Sequence, residues 1–168
     1  VPPSRTVGLF AVLVLAIWAT GCERSGTPNV DSGRFSAQVD GSINETLRGK
    51  AIYRMSDGRL NGLELSVDST TGLSIDVEPR SQPQGVYEVV GWDLLDVPRD
   101  GAPPGAAVFL EVPDARFEAV AGTLTVSTAE PDEVSGSFVF RMEGRYDGVA
   151  RDAPFVSVTG SFRATRSE

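Results

Sequence analysis

From Arg34 onward the chain alternates apolar and polar residues with a period of two, the pattern of half-buried strands. FSAQVD sets Phe35, Ala37 and Val39 against Ser36, Gln38 and Asp40. TLRGKAIYRM (46–55) puts Leu47, Gly49, Ala51, Tyr53 and Met55 on one face. LNGLELSVD (60–68), GLSIDVE (72–78), GVYEVV (85–90) and AAVFLEV (106–112) follow. FEAVAGTLTVST (117–128), EVSGSFVFRME (133–143) and PFVSVTGSFRA (154–164) complete the set. Asp40-Gly41 and Asp57-Gly58 mark turns. No long window repeats apolar residues at i, i+3, i+4 and i+7, so no helix is predicted in this part. About nine short strands with turns between them predict a single all-β domain over residues 34–168, an antiparallel β-sandwich or a barrel-like sheet.

The alternation also predicts registers. Met55 faces Leu60, Tyr53 faces Leu63 and Ala51 faces Leu65 only if one residue is extra, and Asn61-Gly62 supplies that bulge. In the next hairpin Leu65 is expected opposite Ile75 and Leu63 opposite Val77, which sets Glu64 across from Asp76 on the other surface. Near the end of the chain VAGTLTV, VSGSFVF and VTGSFRA each carry a glycine two residues before an apolar one. The simplest apolar-faced registers pair Val126 with Val134, Leu124 with Gly136 and Gly122 with Phe138. They then pair Phe138 with Gly160 and Gly136 with Phe162. Each of these glycines then lies opposite a large side chain that covers the bare backbone, and strand glycines mark a strongly coiled sheet, which leans toward closure. Phe117, Phe138, Phe140, Phe155 and Phe162 are the aromatic core candidates.

The first residues break the pattern. VPPSRT carries one charge, Arg5, and VGLFAVLVLAIWA is an apolar run of about 13 residues, short of the ~20 a membrane span needs. Small residues then lead to Cys22, the layout of a secretory signal. Val1 is what a non-standard start codon, read literally, would give. Ala19-Thr20-Gly21-Cys22 resembles the lipobox of bacterial lipoproteins, with Ala19 where that family favours leucine. The resemblance implies cleavage after Gly21 and acylation of the Cys22 thiol, and two or more acyl chains anchor a protein stably where one does not. It divides the chain into a signal peptide with its signal helix (1–21), a lipidated terminus and flexible tether (22–33), and the β domain (34–168). Glu23 stands where aspartate, in that family, retains a protein at the inner membrane, which implies the outer membrane in a host with two. The closing segments GTLTVSTAEPDEVSGSFVF and VSVTGSFRA also resemble the final hairpins of small β-rich bacterial lipoprotein domains, a likeness that carries no catalytic residue.

Composition narrows the chemistry. There is no histidine, which excludes Ser-His-Asp and Cys-His catalysis and His/Cys zinc sites in their usual forms. Cys22 is the single cysteine, so no disulfide can form within the chain. Fifteen basic residues against 23 acidic give a net charge of −8, and loss of Arg5 with the signal makes the rest one unit more negative. Such a chain repels nucleic acid and is not drawn to anionic lipid by charge, so the membrane partner is reached through lipid on Cys22. No cofactor and no metal site is predicted.

Two places could carry chemistry. Glu64 and Asp76 could serve as a carboxylate pair for glycan hydrolysis or as cation ligands. Lys50 and Arg54 share their surface, and a lattice of surface ion pairs explains the set without function. The loop from Gly91 to Gly105 is the better binding candidate, with Trp92, Asp93, Asp96, Arg99 and Asp100 on about 15 residues. Trp92 is either an exposed anchor or a plug at the end of a sandwich. Glu130, Asp132 and Glu133 surround Pro131 in a tight turn and are expected to be solvated. The leading expectation is a non-catalytic envelope module that binds a protein or organises the cell surface. Alternatives are a small-ligand carrier with a pocket lined by Tyr53, Phe138 and Phe140, and a carboxylate-dependent glycan hydrolase.

Overall fold

A computed structural model describes residues 30–80, 82–97, 99–145 and 154–167. The signal peptide with its helix, Gly21, Cys22 and most of the tether lie outside the described residues. Nine strands carry the alternating segments: β1 (Arg34–Gly41), β2 (Glu45–Ser56), β3 (Arg59–Ser66), β4 (Gly72–Arg80), β5 (Gly85–Val89), β6 (Gly105–Val112), β7 (Ala115–Ala129), β8 (Glu133–Arg145) and β9 (Phe155–Arg166). The one helical element among the described residues is a 3-10 turn at Trp92–Leu94. No described helix is long and apolar enough to cross a membrane.

The strands form one mixed sheet. Hydrogen-bonded neighbours run β1-β2-β3-β4-β6-β5-β7-β8-β9, and β9 pairs back onto β1 from Arg34↔Arg163 to Gly41↔Val156, so the pairings close in a ring. The expectation of a purely antiparallel sheet is corrected at two places. β5 and β6 run parallel at Glu88↔Gly105 and Val89↔Ala106, because the loop between them carries the chain back before β6 begins. β2 and β9 run parallel at Ile52↔Thr165 and Tyr53↔Arg166, where β9 reaches β2 beyond the start of β1.

One face of every strand fills the interior. Phe35, Leu47, Tyr53, Leu63, Ile75, Leu110, Phe117, Phe138, Phe140, Val158 and Phe162 are among the fully buried residues. Phe138 and Phe140 stack with centroids 5.1 Å apart, and Phe138 also stacks on Phe162 at 6.4 Å. Phe155 is corrected: β9 turns Val156, Val158, Phe162 and Ala164 inward, so the odd position 155 faces out, with the Arg141 guanidinium 4.9 Å from its ring centre.

The β2–β3 register is as expected, with Tyr53 on Leu63, Met55 on Leu60 and Asn61 as the extra residue. The bulge leaves the Asn61 side-chain oxygen buried without a hydrogen bond. The β8–β9 pairs Phe138↔Gly160 and Gly136↔Phe162 are also as expected. Two hairpins are shifted by two residues. Leu65 faces Leu73 and Leu63 faces Ile75, because the loop is tighter than alternation alone requires. The Asp68 carboxylate accepts from the Thr70 amide at 2.8 Å, the Thr70 hydroxyl at 2.9 Å and the Thr71 amide at 2.9 Å. These bonds hold the Asp68 carboxyl below its ordinary range.

The β7–β8 hairpin is the second correction. Glu130 and Glu133 exchange backbone bonds across a two-residue Pro131-Asp132 turn. Ser127 is then an extra residue, and Val126 faces Gly136, Leu124 faces Phe138 and Gly122 faces Phe140. A second bulge, at Val120, separates Ala119↔Met142 from Ala121↔Arg141. Gly122 takes φ +132°, and a Cβ there would collide with the Val139 carbonyl. Only glycine permits that approach of β7 to β8.

The described chain enters at the end of the ring that holds the β8 start. The Gly33 amide donates to the Arg163 carbonyl at 2.6 Å, and Ser32 Oγ donates to Glu133 at 2.6 Å. Arg163 grips the same carboxylate through Nε at 3.1 Å and Nη2 at 2.9 Å. Glu133 is therefore part of a clasp, not the freely solvated turn residue expected from sequence. Ser32 and Arg163 hold its carboxyl below the ordinary range.

Candidate functional site

The expected carboxylate pair is not formed. Asp76 faces Gly62 and Ala107, while Glu64 faces Ser74. The Asp76 carboxylate instead accepts from Arg54 Nη2 at 2.7 Å on the outer wall. Among the described residues no three His, Cys, Asp or Glu side chains gather in a way that could hold a metal.

The residues expected to line an internal pocket take different roles. Phe138 and Phe140 pack against each other in the core. Tyr53 is buried, and its hydroxyl donates to the Pro131 carbonyl at 2.6 Å beside an open groove of about 380 Å³ at one end of the ring. Burial pushes the Tyr53 phenol up; Arg166 opposes that shift and Asp132 adds to it. Tyr87 is likewise buried and raised by burial, with its hydroxyl donating to the Pro83 carbonyl at 2.9 Å. Both phenols are structural ties at the ring's end.

The loop after β5 gathers the other candidates. Trp92 is 56 % exposed and is not a plug for the interior. Its ring lies 6.2 Å from Phe109 of β6 at a tilt of 55°, and the Arg116 guanidinium sits 4.7 Å over the other aromatic. Leu94 and Val97 stand beside it, 47 % and 46 % exposed. Leu95 turns the other way and is buried, which pins the loop to the wall. Arg99 pins the far side by donating from Nη2 to the Pro103 carbonyl at 2.6 Å. Asp93, Asp96 and Asp100 are exposed. The loop thus buries Leu95, closes on itself through Arg99 and Pro103, and presents Trp92, Leu94, Val97 and three carboxylates outward.

Beside the loop the wall itself is interrupted. β7 pairs with β6 only as far as Glu118 and with β5 only from Thr123. Residues 119–122 lie in a seam between the two partners. Val120, the bulged residue, is 47 % exposed there. A groove of about 470 Å³ runs along the seam between Val89, Val90 and Leu94 on one side and Ala119 and Val120 on the other. Glu118 and Glu143, directly opposite each other in the β7–β8 ladder, also line it.

The loop residues Trp92, Asp93, Asp96, Arg99 and Asp100 were legible as a group, but Leu94, Val97, Val120 and Glu143 were not. A signal existed for Val120. Inward positions move from odd at Phe117 and Ala119 to even at Leu124 and Val126, so one residue between them must be extra. Comparison of the chain with protein-family models, with curated proteins and with solved structures found no match.

Proposed function

We propose that the chain is a lipid-anchored bacterial envelope protein whose β domain is a non-catalytic module for binding another protein. Cys22, acylated on its thiol and made the new amino terminus by cleavage after Gly21, is the anchor in this reading, and the outer membrane is its location where the host has two membranes. The contact face is the Trp92–Val97 surface. The observation that carries the reading is the exposure of Trp92, Leu94 and Val97 on a loop that buries Leu95 against the wall and is closed on itself by the Arg99–Pro103 bond. Large apolar side chains exposed on a held surface loop are a mark of interaction sites, and tryptophan is among the common energetic anchors of interfaces.

The test is photo-crosslinking in the cell's own membranes. The full chain carries a photoreactive residue at Leu94 or, as a control, at Val139, which is equally exposed on the wall of β8. A discrete protein adduct from position 94 and none from 139 is expected. By intact mass after detergent extraction, the mature chain is expected to begin at a Cys22 that carries acyl chains. No protein adduct at 94 contradicts the module, and a mature chain without acyl mass on Cys22 contradicts the anchor.

A further inference from the structure

The geometry points to an extended, cationic segment of the partner protein as what fills the groove, added as a short strand along the seam of β7. This rests on the reading of the domain as a protein-binding module and goes further by naming the shape and charge of the bound segment.

Shape comes from the ladder. Strands that lack a neighbour offer amide and carbonyl groups to an incoming extended chain. Among the described residues, Ala119–Gly122 have no strand partner on the side facing β5 and β6. The bulge at Val120 is the device that breaks the pairing there. Four strand residues in succession span roughly 13 Å, room for a short extended segment. Val90, Leu94 and Val120 give the groove apolar walls for one large side chain of that segment.

Charge comes from the rim. The Asp93 carboxylate lies over Gly91, 2.6 Å from where a Cβ would stand, and Gly91 lines one edge of the groove. Glu143 lines another part, next to Glu118, which has further interactions of its own. Among the described side chains, three nearby arginines are engaged elsewhere. Arg99 donates to Pro103, Arg116 lies between Phe109 and Glu111 (3.6 Å), and Arg141 covers Phe155. A lysine or arginine flanking the apolar anchor therefore meets carboxylates, and an acidic segment meets like charge, the difference that sets specificity and encounter rate.

The probe is a short blocked peptide of alternating threonine and lysine with a central leucine. It is compared with its glutamate counterpart and with a version N-methylated at alternate residues, which cannot pair as a strand. Binding to the full chain in detergent is measured by calorimetry. The lysine peptide is expected to bind, with the glutamate and N-methylated peptides each about tenfold weaker or more. Leu94→Ser and Glu143→Gln, both on the outer wall and checked for fold by circular dichroism, are each expected to weaken the lysine peptide by about three- to tenfold. No binding of the lysine peptide, equal binding of the glutamate peptide, or equal binding of the N-methylated one overturns the inference. A protein adduct at Leu94 together with any of these results leaves the module standing and removes the cationic strand; absence of the adduct removes both.

Discussion

Gly122 and Gly85 share almost the same backbone, φ +132° and +137°, in two different neighbourhoods. Gly122 sits in the wall of β7 where the Phe140 backbone crosses it, and no side chain fits. Gly85 opens β5 with nothing within 4 Å of where its Cβ would be. The contrast extends to the regions around them. β8 is paired to β9 from Glu133 to Glu143 and to β1 beyond it through β9, with Phe138, Phe140 and Phe162 stacked beneath. β5 is paired to β6 only at Glu88 and Val89 and to β7 only from Gly85 to Glu88. The first region spends its glycines on close approach and is held by continuous ladder and core. In the second, Gly85 and Gly101 have open space around them while Gly91 and Gly105 are crowded by side chains rather than by a neighbouring strand's backbone, and its loop shows apolar side chains to solvent. Continuous pairing and aromatic stacking are concentrated in one part of the ring, and short pairings and exposed apolar side chains in the other.

Substitutions sharpen that contrast in order of size. Phe138→Ala removes the centre of the aromatic stack and leaves Gly160 uncovered, and about 3–5 kcal/mol of stability is expected to be lost in urea unfolding. A loss below about 1 kcal/mol would mean the stack is not where the ring is held. Gly122→Ala is expected to cost about 1–3 kcal/mol more than Gly85→Ala, since both share the backbone strain and only the first adds a collision. Equal costs would erase the distinction between the two regions. The Glu133 clasp contributes less. Its carboxyl is held below its ordinary value of 4.5, so the folded state binds fewer protons than the unfolded one and stability rises with pH there. That contribution is present above 4.5 and is lost as the pH falls through the lowered folded value. Glu133→Gln is expected to flatten this acid limb by under about 1 kcal/mol, because the pair is partly solvated. Unchanged acid unfolding in the variant would show the clasp contributes nothing. Leu94→Ser is expected to leave stability within about 0.5 kcal/mol while abolishing partner capture; a large destabilisation would make Leu94 a packing residue instead.

The strand positions were legible because each strand buries one face and the period of two survives in the sequence. The Asn61 bulge was legible for the same reason, since no register without it keeps Met55 and Leu65 on one side. What was lost lies where side chains or loops override alternation. The Asp68 carboxylate shortens its hairpin by bonds that periodicity does not encode, which moved Leu65 onto Leu73 and separated Glu64 from Asp76. The return of the chain before β6 made β5 and β6 parallel where local hairpins were the simplest expectation. Trp92 and its aspartates stood out on composition alone. Leu94, Val97 and Val120 did not, because an apolar residue in a sequence reads as core until the fold shows which way it faces.

Native-state hydrogen exchange of the full chain, without partner, tests the division of the ring most directly. Amides of β8 and β9 are expected to exchange only through global unfolding, while those of Gly85–Val89 and of the loop through Gly105 exchange through local opening at much lower free energy. Uniform protection across β5, the loop and β8 would contradict the account, since the seam would then be as firmly held as the wall.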